Sequence, residues 1–163
     1  MITRIKTTNK IKPIFREYLD YMSQFYEIDD VDSWCKGALK NLQRYSMADD
    51  RYIYILKEFD SVIGFALVNQ HLRFNTDGFA VAEFYIQKNH ERKGYGRKLA
   101  GHVFAQFTGV WEVAVTLKNK AALMFWEQVV SSYTNGKFIK EKKASFGVYG
   151  FIFDTADEPQ ILQ

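Results

Sequence analysis

The chain has 163 residues and a formal net charge of +3, from 22 Lys and Arg against 19 Asp and Glu. That length suits a single domain, and so slight a positive excess gives no argument for a nucleic-acid binder. An apolar share of 47% with 25% charged residues fits an ordinary folded domain, and no apolar run approaches the ~18 residues of a membrane span.

Ile2 to Lys6 alternates and reads as a first strand; Met1 to Lys6 lacks the apolar core of a signal peptide, so the cytoplasm is expected. Pro13 suits the first turn of a helix. Ile14, Phe15, Tyr18, Leu19, Met22, Phe25 and Tyr26 then recur at helical spacing. Glu27 to Asp32 is an acidic break. Ser33 is the expected N-cap of a second helix carrying Trp34, Ala38, Leu42 and Tyr45. Cys35, the single cysteine, excludes an internal disulfide and reads as a small apolar filler. Arg51 to Lys57 and Val62 to Leu72 form a hairpin across a turn at 58–61, and a second turn lies at Asn75 to Gly78. An apolar run from Val81 to Ile86 reads as a buried strand. After the polar loop of Gln87 to Lys93, Gly94 and Gly96 open a helix on which Leu99, Ala100, Val103, Phe104 and Phe107 share a face. A strand over Val110 to Leu117 follows, then a helix opened by Asn119 that buries Ala122, Phe125, Trp126 and Val129. Asn135-Gly136 turns the chain into a hairpin of Lys137 to Lys143 and Phe146 to Phe153. The domain is expected over 1–153, with a tail over 154–163.

Strand, glycine loop and helix together suggest an anion site. The first turn of a helix leaves amide N–H groups without partners and carries partial positive charge. Glycines remove the Cβ atoms that would block a phosphate, and Arg92, Lys93, Arg97 and Lys98 add charge. A dinucleotide loop would want a third glycine where Leu99 stands, and a nucleoside-triphosphate loop a Gly-Lys-Ser/Thr ending that the chain lacks. Glu112, near the offset of a ribose-binding acid, sits inside an apolar run. A strand-to-helix turn that merely needs small residues explains a lone G-x-G as well.

Two motifs in register go further. Glu91-Arg92-Lys93-Gly94-Tyr95-Gly96, behind a strand bearing Phe84 and Ile86, resembles the pyrophosphate motif of the GNAT superfamily of acetyl-CoA-dependent N-acetyltransferases; Glu91 departs from its usual Gln or Arg, and its carboxylate is expected to point away. Asn119-Lys120-Ala121-Ala122-Leu123-Met124-Phe125-Trp126 matches the family's Asn-x-x-Ala-x-x-Phe-Tyr segment at Asn, Ala and Phe. The element order, β-α-α-β-β-β-α-β-α-β-β, is also that of the family. The resemblance implies a mixed α/β fold: a central, mostly antiparallel sheet flanked by about four helices, with the central strand diverging from the next. It implies acetyl-CoA bound by Phe84, Tyr85, Ile86, Glu91, Arg92, Lys93, Gly94, Tyr95, Gly96, Arg97, Asn119, Ala122 and Phe125. Phe84 and Ile86 would act through their backbone. Asn119 would hold the pantetheine arm, cap its helix, or do both.

The implied reaction is acetyl transfer to a primary amine of a small molecule or peptide in a ternary complex. An amine of pKa ~10.4 is protonated at pH 7, so a base should help. Glu83 is the titratable residue on the strand before the loop. The family's acid often falls at the positions of Ala80 and Ala82, on the other strand face, so Glu83 is either the base or a structural anchor. Trp126 replaces the family's usual acidic Tyr, and Tyr133 or Tyr149 could substitute. The acidic residues Glu27, Asp29, Asp30 and Asp32 are either a solvated loop or an attraction for a cationic acceptor such as a polyamine, aminoglycoside or lysine side chain. Lys137, Lys140, Lys142 and Lys143 read as a solvated hairpin face. His71, His90 and His102 have no ligand-like spacing, so no metal is expected. Neither nucleic acid nor a membrane is implied as partner, and a homodimer stays open. A non-catalytic acyl-CoA sensor, or a generic nucleotide-binding protein, are the competing readings.

Overall fold

A computed structural model describes residues 1–157. The order is β1 (Ile2–Ile5), α1 (Lys12–Ser23), α2 (Val31–Arg44), β2 (Arg51–Glu58), β3 (Ser61–Asn69), β4 (Phe79–Ile86), α3 (Tyr95–Phe104), β5 (Val110–Thr116), α4 (Lys120–Thr134), β6 (Ile139–Lys143) and β7 (Val148–Asp154). This is the expected order. The strands form one seven-stranded sheet, β1-β2-β3-β4-β5-β7-β6. Every pairing is antiparallel except β4 with β5.

β3 lies near the middle of the sheet, and helices cover both of its faces, which explains its nearly unbroken apolar sequence. One core, beneath α3 and α4, gathers Ala66, Val68, Val103, Phe104, Trp111, Trp126 and Phe151. The other, beneath α1 and α2, gathers Phe15, Tyr18, Leu19, Leu42, Phe65 and Leu67. Two aromatic-rich cores, one per face, account for much of the chain's aromatic content, which at 17% of residues is high.

Several boundaries differ from the sequence expectation, each for a local reason. α1 stops at Ser23, before Phe25 and Tyr26. There the Ser23 hydroxyl donates to the Asp20 carbonyl and the Gln24 amide to that of Tyr21, taking up last-turn acceptors. The N-cap of α2 is Asp30, not Ser33. The extended Asp30 accepts from the Ser33 N–H at 3.1 Å and the Ser33 hydroxyl at 2.8 Å, so the helix begins earlier. β3 ends at Asn69, whose side chain accepts from the His71 N–H and turns the chain. α3 ends at Phe104; Phe107 lies beyond it, stacked on Phe79 at 4.3 Å. Asp154 closes β7, and the buried Thr155 hydroxyl accepts from the Gly109 N–H at 3.0 Å, so the expected tail starts later. The remainder of that tail, 158–163, lies outside the described residues.

Candidate active site

The centre of the site is the point where β4 changes partners. Phe79, Ala80 and Val81 pair with Trp111, Glu112 and Val113 of β5, and the pairing stops there. Beyond Val81 the two parallel strands part, leaving one edge of β4 without its neighbour. A cleft of about 480 Å³ opens along that edge. At the same point Leu67 pairs with Glu83 while Val68 pairs with Val81, so Ala82 is the extra residue of a β-bulge. The bulge reverses the alternation. Val81, Phe84 and Ile86 all join the α3/α4 core, whereas Tyr85 packs toward α1 and α2. Glu83 therefore shares the face of Ala80, correcting the expectation that it sits on the opposite one. Side-chain period alone misassigns the face wherever an unpaired residue interrupts a strand.

On the α3/α4 side the cleft is built from main chain. Gly94, the N-cap of α3, adopts φ +81°, a left-handed conformation that glycine takes without strain. The Lys98 N–H to Gly94 carbonyl bond, 3.0 Å, is the first of the helix, and no side chain caps it. The amides of its first turn stay available for an anion. Gly96 answers to packing: a Cβ there would lie 2.9 Å from the Phe125 ring. The loop is fastened from behind, where Glu58 accepts from the Tyr95 hydroxyl and, at 3.1 Å, meets His90 Nε2. Phe84, Tyr85, Ile86 and Gly96 line the cleft, as do Glu91 and Arg92 at its mouth. Asn119, Ala122 and Phe125 line it from α4. Tyr95 points instead to the β2–β3 hairpin, while Lys93, Gly94 and Arg97 stand outside the lining. Phe84 packs against Trp126 and Phe125 at 4.8 and 5.7 Å, so its ring is core and its backbone faces the cleft. Asn119 is buried, and its side-chain oxygen accepts from the Ala122 N–H at 3.0 Å and the Tyr21 hydroxyl at 3.3 Å. It caps α4, and its amide nitrogen remains to donate.

On the α1/α2 side the cleft is built from side chains. Glu83 is half-buried and accepts a hydrogen bond from the Tyr18 hydroxyl. Burial raises its pKa to about 7, against the opposing pull of that bond and of the Arg73 guanidinium. Burial and the Glu83 charge together push the Tyr18 hydroxyl well above its ordinary value. A second pocket, about 380 Å³, runs between α1 and α2 and shares Tyr18, Met22, Tyr26 and Glu83 with the cleft. Two groups hold the loop of 70–78 across the sheet. The buried Glu112 carboxylate accepts from the Arg73 N–H at 2.8 Å, the Phe74 N–H at 3.0 Å and the Asn75 side chain at 2.8 Å. The Lys143 ammonium donates to the Arg73 carbonyl at 2.5 Å. Glu112 thus anchors a loop, which explains an acid inside an apolar strand.

Tyr133 is sealed in the core against Phe104, and neither it nor Tyr149 lines the cleft. Trp126 is a buried ring at the cleft wall. None of Glu27, Asp29, Asp30 and Asp32 lines either cavity. Lys140 meets Glu127 at 3.0 Å on the β6–β7 face. Sequence reasoning missed Tyr18, Tyr26 and Arg73. The two tyrosines sit in a stripe that reads as core, and nothing in a polar turn singles out an arginine.

The model of the GNAT acetyltransferase family matches residues 11–130. No curated protein matches the sequence. Among solved structures, an acetyltransferase from Thermus thermophilus superimposes with a TM-score of 0.67 at 15% identity, covering 94% of this chain and 97% of that one. A PaiA N-acetyltransferase from Thermoplasma acidophilum, solved with coenzyme A, gives 0.65 at 13% identity over 94% and 98%. Arabidopsis thaliana NAA60, solved with a bisubstrate analogue, gives 0.62 at 11% identity over 94% and 98%. Those identities speak for the fold; the match over 11–130 speaks for descent, and the chain belongs to the GNAT acetyltransferase family.

Proposed function

We propose that the protein transfers an acetyl group from acetyl-CoA to a primary amine by direct attack. The observation that carries this is the parting of β4 from β5 beyond Val81, which opens a cleft lined by Gly96 of α3 and by the carboxylate of Glu83, whose pKa burial pushes up to about 7. The first-turn amides of α3 would seat the diphosphate, with Arg92 at the mouth adding charge and Lys93 and Arg97 close by. The free edge of β4 at Phe84 to Ile86 would bond the pantetheine arm as a missing strand would, and the Asn119 amide nitrogen would donate to it. Acetyl-CoA supplies the activated acyl group.

The rest falls to the chain's own residues. Glu83, about half ionised at pH 7 and increasingly so above it, accepts a proton from the amine directly or through water. Against an ammonium of pKa ~10.4, a base at about 7 leaves roughly 4–5 kcal/mol to be met, much of it by holding the reactants together. The amine nitrogen bonds to the carbonyl carbon, the carbon–sulfur bond breaks, and sulfur leaves with the electron pair. A thiol of pKa ~8.5 is only about 2 kcal/mol from ionised at pH 7, so Trp126 at the usual tyrosine position does not forbid the step.

The test pairs calorimetric binding of CoA with thiol release from acetyl-CoA across an amine panel. Binding with turnover on at least one amine is expected. Binding without turnover on any amine reduces the protein to an acyl-CoA sensor. Stronger thermal stabilisation by ATP or NAD than by CoA overturns the cofactor assignment.

A further inference from the structure

The pocket between α1 and α2 has walls of a definite kind. Phe15, Leu19, Met22, Trp34 and Leu42 give it an apolar wall, Ser33 and Asn41 a polar one, and the Tyr26 ring lies 6.3 Å from that of Trp34. At about 380 Å³ it is small for a ligand pocket, enough for one compact apolar group. Among the described residues its one carboxylate is Glu83, at the junction with the cleft. The acidic residues of the α1–α2 connection do not line it; Asp30 is spent on capping α2. A polyamine or aminoglycoside would therefore find a single carboxylate and a wall of rings.

A second charge faces the junction. Arg73 lines the cleft alongside Glu83 and Tyr26. Its guanidinium lies 5.7 Å from the centre of the Phe146 ring and makes no ion pair among the described residues; burial raises the pKa of both Glu83 and Tyr26, and the Arg73 charge opposes that rise in part. The guanidinium and the Glu83 carboxylate thus line one cleft without pairing with each other, so both face a ligand bound there. Its position is built, because Glu112 and Lys143 hold the Arg73 backbone from both sides. An unpaired guanidinium beside an amine site repels a second cation and favours an anion on the acceptor.

We propose that the acceptor is an α-amino acid with an apolar, aromatic-sized side chain: its amine at Glu83, its carboxylate at Arg73, its side chain in the pocket between α1 and α2. This rests on the acetyltransferase reading. The reaction it specifies is N-acetylation, yielding an N-acetyl amino acid and free CoA. In it the nitrogen–carbon bond forms, the carbon–sulfur bond breaks, and the amine proton goes to Glu83.

The experiment compares L-phenylalanine and L-tryptophan with phenethylamine and tryptamine, which lack only the carboxylate, and with spermidine. Thiol release is read on the intact protein and on Arg73→Met. The amino acids are expected to exceed their decarboxylated partners by about 10- to 100-fold in kcat/KM, the worth of one charge-assisted contact. In Arg73→Met that ratio should fall to within about threefold of one. Intact protein that acetylates the bare amines as well as the amino acids, or prefers spermidine, overturns the proposal while leaving the transferase standing. Calorimetry of L-phenylalanine on the CoA-bound protein separates the other case. Arg73-dependent binding without turnover keeps the acceptor assignment and sinks the catalytic reading. Absence of both binding and turnover sinks the two together.

Discussion

The two sides of the cleft are made of different material. Toward α3 and α4 the groups that the proposed function uses are main-chain amides and a free strand edge, set by Gly94, Gly96 and the parting of β4 from β5. Toward α1 and α2 they are side chains, Glu83, Tyr18, Tyr26 and Arg73, with Glu83 turned to that side by the bulge at Ala82. A backbone site has no titrating group of its own and depends on geometry alone. A side-chain site can be tuned by burial and rewritten by substitution. The invariant part of a substrate suits the first kind, and the variable part suits the second.

Glu83→Gln should show the contrast most strongly. It leaves the backbone side intact, so CoA affinity should stay within about twofold, while kcat should fall ~100-fold or more, as for loss of a general base. In the parent protein kcat/KM should rise with pH through about 7 as Glu83 ionises. In the variant that inflection should vanish and activity should shift to higher pH. An inflection near 7 that survives the substitution removes Glu83 from the chemistry.

The same carboxylate links the acceptor side to stability. Its folded pKa lies above the ordinary value of 4.5, so its contribution is fully present below pH 4.5 and is lost as pH rises through about 7. That loss is about 3 kcal/mol for a shift of this size. Melting of Glu83→Gln and the parent, followed from pH 5 to pH 8, should show the variant gaining several degrees relative to the parent. A constant gap would mean that Glu83 titrates normally.

Substitutions on the backbone side should act through shape and not through pH. Gly96→Val places atoms where the Phe125 ring lies. It should cost about 1–3 kcal/mol by overpacking and weaken CoA binding at least ~10-fold by pushing α3 from α4, with no change in the pH profile. Asn119→Ala removes a cap and should cost about 1 kcal/mol in denaturant unfolding, with a modest rise in the KM for acetyl-CoA. Asn119→Asp keeps the cap but loses the donor, so it should recover the stability and not the KM.

The backbone side was legible in the sequence because glycines at fixed spacing announce what side chains would prevent. Gly94 at the start of α3, Asn119 at the start of α4 and the Phe84/Ile86 pair of β4 could all be placed before any coordinates, as could the order of eleven elements; their part in holding a cofactor is proposed. The acceptor side was not legible, for two reasons. The bulge at Ala82 cannot be heard in an apolar run, since it changes pairing without changing composition, and it decides which way Glu83 faces. The loop that carries Arg73 is placed by Glu112, a contact across 39 positions whose acid looks misplaced until its three donors are seen. Ser33 failed as a cap for a smaller reason: Asp30 offered a better acceptor one turn earlier.

The anchoring of 70–78 by Glu112 and Lys143 has an evolutionary corollary. A segment tied down by two side chains, outside the ladder of the sheet, can be lengthened, shortened or swapped while its attachment points persist. If the proposed function holds, descendants of this chain could thereby explore new acceptors by remodelling one surface turn, leaving the proposed cofactor cradle untouched. Grafting that turn between relatives is a practical route to altered selectivity.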